Sequence, residues 1–284
     1  DQQGSYTGGG INIVTKSSQA TKNGLMSLEK GSSGRTDIGI QQTVSHDDRH
    51  SFRFFLKGID HDSFRTPVIH RGIDDFQQQR FGFRSDWKQS EKTVTTLDGT
   101  VYQSQSHNYL ILRKSGVGPG KTDANAYPTD ASGGHLRFQM TQTRKPGEEF
   151  RLQFYFDRTR RNDGRHDEVF DTFDLDFQHA FTLHPRHEMV WGLGCRLLDY
   201  SLQGGSFVRY EPSSGKETTQ SVFLQDKVTL QPSRLFLTLG TKVYQHPYVG
   251  TENQPSARLL WTPQDRHVFW TAYTEARRTP SIAE

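Results

Sequence analysis

Between Phe150 and Asp157 the residues alternate: Phe150, Leu152, Phe154 and Phe156 fall on one side, Arg151, Gln153 and Asp157 on the other, with Tyr155 the one aromatic on the polar side. Successive side chains of an extended strand point to opposite faces, so this pattern commits the segment to a strand with one apolar and one polar face. The pattern recurs. Leu136, Phe138 and Met140 alternate with Arg137, Gln139 and Thr141, and Leu235, Leu237 and Leu239 alternate with Thr238 and Gly240. Phe173, Leu175, Phe177, Phe181 and Leu183 do the same against Asp174, Asp176, Gln178 and Thr182. The chain is therefore expected to be all-β and antiparallel, with long, half-polar strands.

The connections sort into two kinds. Short polar ones stand at 46–49, 89–92, 145–148, 184–187, 231–234 and 263–266, each with the Pro, Gly, Asp or Ser content of a tight hairpin turn. Between them the sequence predicts longer, irregular connections at about 63–76, 108–132, 160–167, 204–216 and 246–254. Strict alternation of short and long suits an up-and-down barrel in an outer membrane, with short periplasmic turns and long extracellular loops. Roughly a dozen strands of about 9–11 residues each are expected on that reading.

Composition narrows the choice. Only 32% of the 284 residues are hydrophobic, yet 12% are aromatic and the net charge is +3, so the chain lacks the charge excess of a disordered one. A polar average with many Phe and Tyr fits a large barrel, where only alternate residues meet lipid. No run approaches the roughly 18 apolar residues of a membrane helix, and no basic leader opens at Asp1. The single Cys195 excludes an internal disulfide, and no basic stripe with interleaved aromatics points to nucleic acid. A soluble or surface-exposed antiparallel β-structured binding module would also alternate apolar and polar faces and stays open as the alternative.

Two sets of residues carry a family resemblance. Gly8-Gly9-Gly10-Ile11-Asn12-Ile13-Val14-Thr15-Lys16 resembles the strand that closes the plug of TonB-dependent outer-membrane receptors, with Gly10 in place of the customary apolar residue. A polar linker, 17–23, then leads into Gly24-Leu25-Met26-Ser27-Leu28, which looks like a first barrel strand. Downstream, Val222-Phe223-Leu224-Gln225-Asp226, Gln254-Pro255-Ser256-Ala257-Arg258-Leu259 and Arg278-Thr279-Pro280-Ser281 resemble mid-barrel segments of the siderophore-receptor type, in the family's order.

The resemblance implies a plug end and linker at 1–20, and at 21–284 the first half of a transmembrane β-barrel, about 12–13 of some 22 strands. It further implies a bacterial Gram-negative outer membrane, contact with its lipid, and a monomer. Such a receptor imports a scarce ligand with energy relayed by TonB, which would bind an N-terminal segment outside these residues. A ferric siderophore or another small-molecule metal chelate is the ligand class implied, with haem, cobalamin or a glycan as alternatives. No cofactor is implied. The natural protein is expected to hold a longer plug upstream and about ten further strands downstream, so that the barrel can close.

Other motifs carry less. Ser115-Gly116-Val117-Gly118-Pro119-Gly120-Lys121-Thr122 is one Gly short of a phosphate-binding loop, and Asp123 to Pro128 offers no helix to complete it. His184 with His187, and His46 with His50, have metal-ligand spacing but stand in tight turns without further ligands, so no metal site is expected. Asn162, Asp163, Asp167 and Glu168 lack calcium-loop spacing and read as a polar turn. No nucleophile elbow is present, which leaves an outer-membrane hydrolase a distant third reading and no catalytic residue assigned.

Ligand contacts are expected from the long loops, since loops carry function on a rigid scaffold. Tyr109, Tyr127, Phe207, Tyr210, Tyr244 and Tyr248 lie in or beside them. The same residues also suit the aromatic girdle at the lipid interface, which is the alternative for each. Arg278 and Glu284 are candidates for contact between barrel and plug.

Overall fold

The computed structural model describes residues 15–21, 23–31, 34–63, 74–113, 122–205 and 208–277, with the backbone alone at 108–113 and 122–127. Thirteen strands form one sheet: β1 (Leu25–Lys30), β2 (Thr36–Ser45), β3 (His50–His61), β4 (Phe76–Ser90), β5 (Thr93–Arg113), β6 (Thr122–Lys145), β7 (Glu148–Asn162), β8 (His166–His184), β9 (His187–Gly204), β10 (Ser214–Gln231), β11 (Leu235–His246), β12 (Gly250–Gln264) and β13 (His267–Thr274). Each pairs antiparallel with its sequence neighbours, in the order β1 to β13 without a crossover. A single 3-10 turn, Gln19–Thr21, precedes them.

All six short turns are where the sequence puts them. At the β6–β7 turn Gly147 takes φ of 78° behind Pro146, the residue pair that a type II turn uses. These turns mark one end of the sheet, called here the turn end. The opposite, loop end departs from expectation. Strands β5 and β6 run for 21 and 24 residues, well past a membrane-strand length, and pair out to Arg113 with Thr122. The connection from β7 to β8 shrinks to 163–165, and that from β11 to β12 to 247–249. Beyond the bilayer both faces of a strand meet water, so alternation fades from the sequence while backbone pairing continues.

The two faces of the sheet differ in chemistry. On one, Phe81, Val101, Leu136, Phe154, Leu175 and Leu224 all remain largely exposed. Among the described residues no second sheet covers them, and the only buried hydrophobic side chains are Tyr200 and Leu202. A soluble sandwich would pack such a face against a partner sheet; this one is built to meet hydrocarbon. The other face is polar and receives residues 15–21, which makes it the inner one. Along it, cross-strand partners Arg84, Asp98, Arg137, Tyr155, Asp174 and Arg196 form one continuous row from β4 to β9. Arg137 donates from Nε to Asp98 at 2.9 Å and Arg196 from Nε to Asp174 at 2.7 Å, so opposite charges hold adjacent strands in register.

Candidate functional site

Tyr244, His246 and Tyr248 follow one another at every second position, and the strand period puts the first two on the inner face of β11 at its loop end. Their rings are in contact: Tyr244 stacks on His246 at 5.8 Å between centroids, and His246 meets Tyr248 tilted by 56° at 5.4 Å. Tyr248 lies in the β11–β12 turn, where its backbone N–H reaches His246 Nδ1 at 3.3 Å. From there its hydroxyl donates to Glu217 Oε1 of β10 at 2.6 Å. That bond, with some burial and the nearby Tyr200, raises the Tyr248 phenol above the ordinary tyrosine range, so it remains a donor at any physiological pH.

Tyr200, on the inner face of β9, completes the wall. It is 4% exposed and stands opposite Gly215 of β10, where an added Cβ would come within 2.5 Å of the Tyr200 hydroxyl. Only a glycine lets the ring lie across the neighbouring strand. The result is a surface of three phenols, an imidazole and one carboxylate at the loop end of β9 to β12. Tyr200 and His246 are buried at 4% and 7% exposure and form its floor, so the faces and polar groups open to a planar or oxygen-rich ligand are those of Tyr244, Tyr248 and Glu217.

Two of the six aromatics expected to line a ligand site, Tyr244 and Tyr248, are thus brought together. Tyr210 stands apart in the β9–β10 connection, edge-on to His166 at 6.1 Å, beside a recess of about 820 Å³ between Leu202 and Ser214. The side chains of Tyr109 and Tyr127, and residues Phe207, Arg278 and Glu284, lie outside the described residues. So do 114–121, most of the glycine-rich segment. Sequence reasoning missed Tyr200, Glu217 and His246. His246 was legible from its period-two place between two tyrosines; the other two reach the cluster only through strand register.

The acidic turn also differs from a plain polar loop. Asp163 is 2% exposed, takes the Arg165 guanidinium, and receives the backbone N–H groups of Arg165 and His166 at 3.1 and 3.3 Å. Asp167 is held by Arg160 at 2.7 Å. Among the described residues no three His, Cys, Asp or Glu side chains converge as a metal site. His187 is engaged by Asp226 at 2.7 Å and His50 by Asp47 at 3.2 Å.

A second constellation was not foreseen. Ser18, fully buried, donates its backbone N–H to Asp86 Oδ2 at 2.7 Å and shares a hydroxyl contact of 2.6 Å with Ser51. Arg84 donates to Thr15 at 2.8 Å and Arg53 to Thr21 at 3.3 Å. Residues 15–21 are thereby fastened to the inner face of β3 and β4, close to the turn end. The sequence hint was Arg84 and Asp86, two charges on the polar side of a strand whose other side carries Phe81 and Phe83.

Comparison with known proteins decides the family. The model described as TonB dependent receptor-like, beta-barrel matches residues 24–284, nearly the whole chain. This chain is a TonB-dependent receptor barrel. Searched against curated proteins, the receptor has no match. Its fold is shared by the siderophore receptor PirA from Pseudomonas aeruginosa (TM-score 0.64, 15% identity, 87% of this chain and 40% of that one). The FrpB iron transporter from Neisseria meningitidis, F3-3 variant, matches with TM-score 0.69 at 13% identity over 88% of this chain and 45% of that one. The copper transporter OprC gives 0.65 at 11% identity over 92% and 46%. The receptor spans less than half the length of each. Members of the family are transporters, not enzymes, and the receptor's place is the Gram-negative outer membrane.

Proposed function

We propose that the receptor takes up a ferric siderophore or a similar metal chelate, binding it first on the inner wall at the loop end of β9 to β12. The observation that carries this reading is the surface of Tyr244, Tyr248 and Glu217, seated on buried Tyr200 and His246, on a wall whose opposite face is apolar. The named ligands of solved relatives with this fold, siderophores and metals among them, support the ligand class. In this reading residues 1–20 are the end of a plug and its linker, and 21–284 form the first half of the barrel wall. The anchoring of Thr15 and Ser18 on β4 supports a linker that starts inside the barrel.

Uptake makes and breaks no covalent bond. The receptor acts as a monomer, and TonB, pulling on the plug from the periplasm, supplies the energy. Among the described residues β1 and β13 each have one unpaired edge. In hydrocarbon every backbone N–H and C=O needs a partner, so further strands close the barrel at both edges. The test is uptake of radiolabelled ferric chelates by cells carrying the natural receptor. Tyr244→Ala should weaken binding about tenfold, on the order of one lost stacking partner and its burial. Unchanged affinity and uptake for every chelate in Tyr244→Ala and Tyr248→Phe would remove this surface from the ligand path.

A further inference from the structure

On the outer face the apolar band stops abruptly toward the loop end. Phe81 and Val101 are cross-strand partners, and the next outward pair is Gln79 with Gln103, then Gln77 with Gln105. On β6 and β7 Leu136 and Phe156 give way to Ser132, Arg160 and Asn162. These polar residues bound an open recess of about 440 Å³ on the outside of the wall. Strands rise about 3.4 Å per residue. At the usual tilt of about 45°, Gln79 and Gln77 then stand about 5 and 10 Å above the level of Phe81. That is the height of the headgroup layer and the zone just beyond it.

The chemistry of the recess is specific. Gln103 donates from Nε2 to Gln79 Oε1 at 3.2 Å, which fixes the amide pair and leaves its other N–H and C=O groups facing outward. The neighbouring cations are already engaged: Arg158 with Asp171 at 3.0 Å and Arg160 with Asp167 at 2.7 Å. A phosphate would meet compensated charge. The carboxylate of Asp130, which also lines the recess, adds to the case against phosphate, whereas sugar hydroxyls, which both donate and accept, match amides and a carboxylate acceptor alike.

We propose that this glutamine-lined recess holds the glycan of an outer-leaflet glycolipid. The bound lipid packs its chains on Phe81, Val101 and Phe156 below and its sugars on Gln77, Gln79, Gln103 and Gln105 above. This inference depends on the outer-membrane location alone, not on the ligand proposed for the inner wall.

The experiment is native mass spectrometry of the whole receptor, extracted in mild detergent from two strains. One makes lipopolysaccharide with its full core sugars, the other only lipid A. Glycolipid should stay bound from the first strain and be lost from the second. Gln79→Leu with Gln103→Leu should lower retention from the first strain by about fivefold or more, the effect of losing one or two net hydrogen bonds. Heat-modifiable gel mobility shows that the variant barrel is folded, and Gln105→Leu serves if it is not. Chelate uptake should be unchanged in these variants, which separates this site from the inner one. Equal retention from both strains, or equal retention by wild type and folded variant, overturns the proposal. Binding of the delipidated core oligosaccharide as tight as that of the intact glycolipid overturns the lipid-linked assignment.

Discussion

Ser18 gives both its backbone N–H and its hydroxyl to one carboxylate oxygen of Asp86, at 2.7 and 2.5 Å, across 68 residues of sequence. The same carboxylate takes the Thr96 hydroxyl at 2.9 Å and the Arg84 guanidinium at 2.8 Å. Arg84 stands directly opposite Arg53 on β3, so Asp86 also offsets a pair of like charges. A hydrogen bond to a charged acceptor is worth about 1.5–3 kcal/mol net. In Asp86→Ala the Ser18 amide should therefore exchange its hydrogen about 10- to 100-fold faster. Asp86→Asn, which keeps one acceptor, should lie between. Exchange measured on the peptide spanning 15–21 decides this, and unchanged protection in Asp86→Ala would show that the linker is held elsewhere.

How much of this was legible in the sequence depends on what each feature obeys. The six tight turns and the sidedness of β6, β7, β8 and β11 follow from local rules, namely turn chemistry and a two-residue period, and both were readable. The loop end was not. From 108 to 132 the two-residue period is lost: Leu110, Ile111 and Leu112 are apolar in succession and the rest is mostly polar or small, so nothing distinguishes a strand outside the bilayer from an irregular loop, and pairing of β5 with β6 out to Arg113 and Thr122 had to come from the fold. The candidate site divides the same way. Tyr244 and His246 share a face by spacing alone, with Tyr248 two residues on in the turn, whereas Tyr200 reaches Gly215, and Glu217 reaches Tyr248, through a register that no local pattern encodes.

Sidedness gives a direct test in β7. Phe154 points outward between Phe138 and Leu175, its cross-strand partners, and is 38% exposed. Gln153 points inward between Gln139 and Asp176. Phe154→Arg should cost about 2–4 kcal/mol near the bilayer midplane, while Gln153→Arg should be tolerated, since Asp176 lies opposite to receive it. Equilibrium unfolding of the natural receptor in lipid vesicles measures both, and similar losses would reverse the assignment of faces.

Acid should open the β7–β8 turn. Burial pushes the Asp163 carboxyl up, but the Arg165 guanidinium and backbone N–H, with His166 nearby, outweigh it and hold the group below the usual carboxylate range. A folded-state value below the unfolded one, about 3.9, stabilises the turn at every pH above that range. The contribution is lost as pH falls through the lower, folded value. Protease cleavage at 163–165 should then stay flat from about pH 8 to pH 5 and rise only in stronger acid. Asp163→Asn should be cleaved readily at neutral pH. A wild-type transition between about pH 8 and pH 5 instead would show that the Asp163 carboxylate does not hold the turn.

The last prediction concerns the glycine beneath Tyr200. Ring and backbone are in contact because residue 215 has no side chain, and a Cβ there would lie 2.5 Å from the phenol oxygen and 2.8 Å from the ring carbon that bears it. Tyr200 is 4% exposed, and its ring is rigid, so it cannot yield by a few tenths of an ångström as the tip of a lysine could. Gly215→Ala should therefore displace the ring at about 1–3 kcal/mol, the usual cost of overpacking. Gly58 is the control: it too sits mid-strand, but among the described residues nothing lies within 4 Å of its added Cβ. There alanine should be neutral or stabilise by about 0.4–1 kcal/mol, through the reduced freedom of the unfolded chain. The functional consequence follows from geometry, because Tyr200 lies beside the Tyr248 to Glu217 hydrogen bond. Moving its ring should lower chelate affinity in Gly215→Ala while Gly58→Ala binds as wild type. Unfolding and chelate binding measured together on the two variants separate the outcomes. If Gly215→Ala matches Gly58→Ala in both, then Tyr200 does not rest on the backbone at residue 215, and the loop-end surface is not built as described.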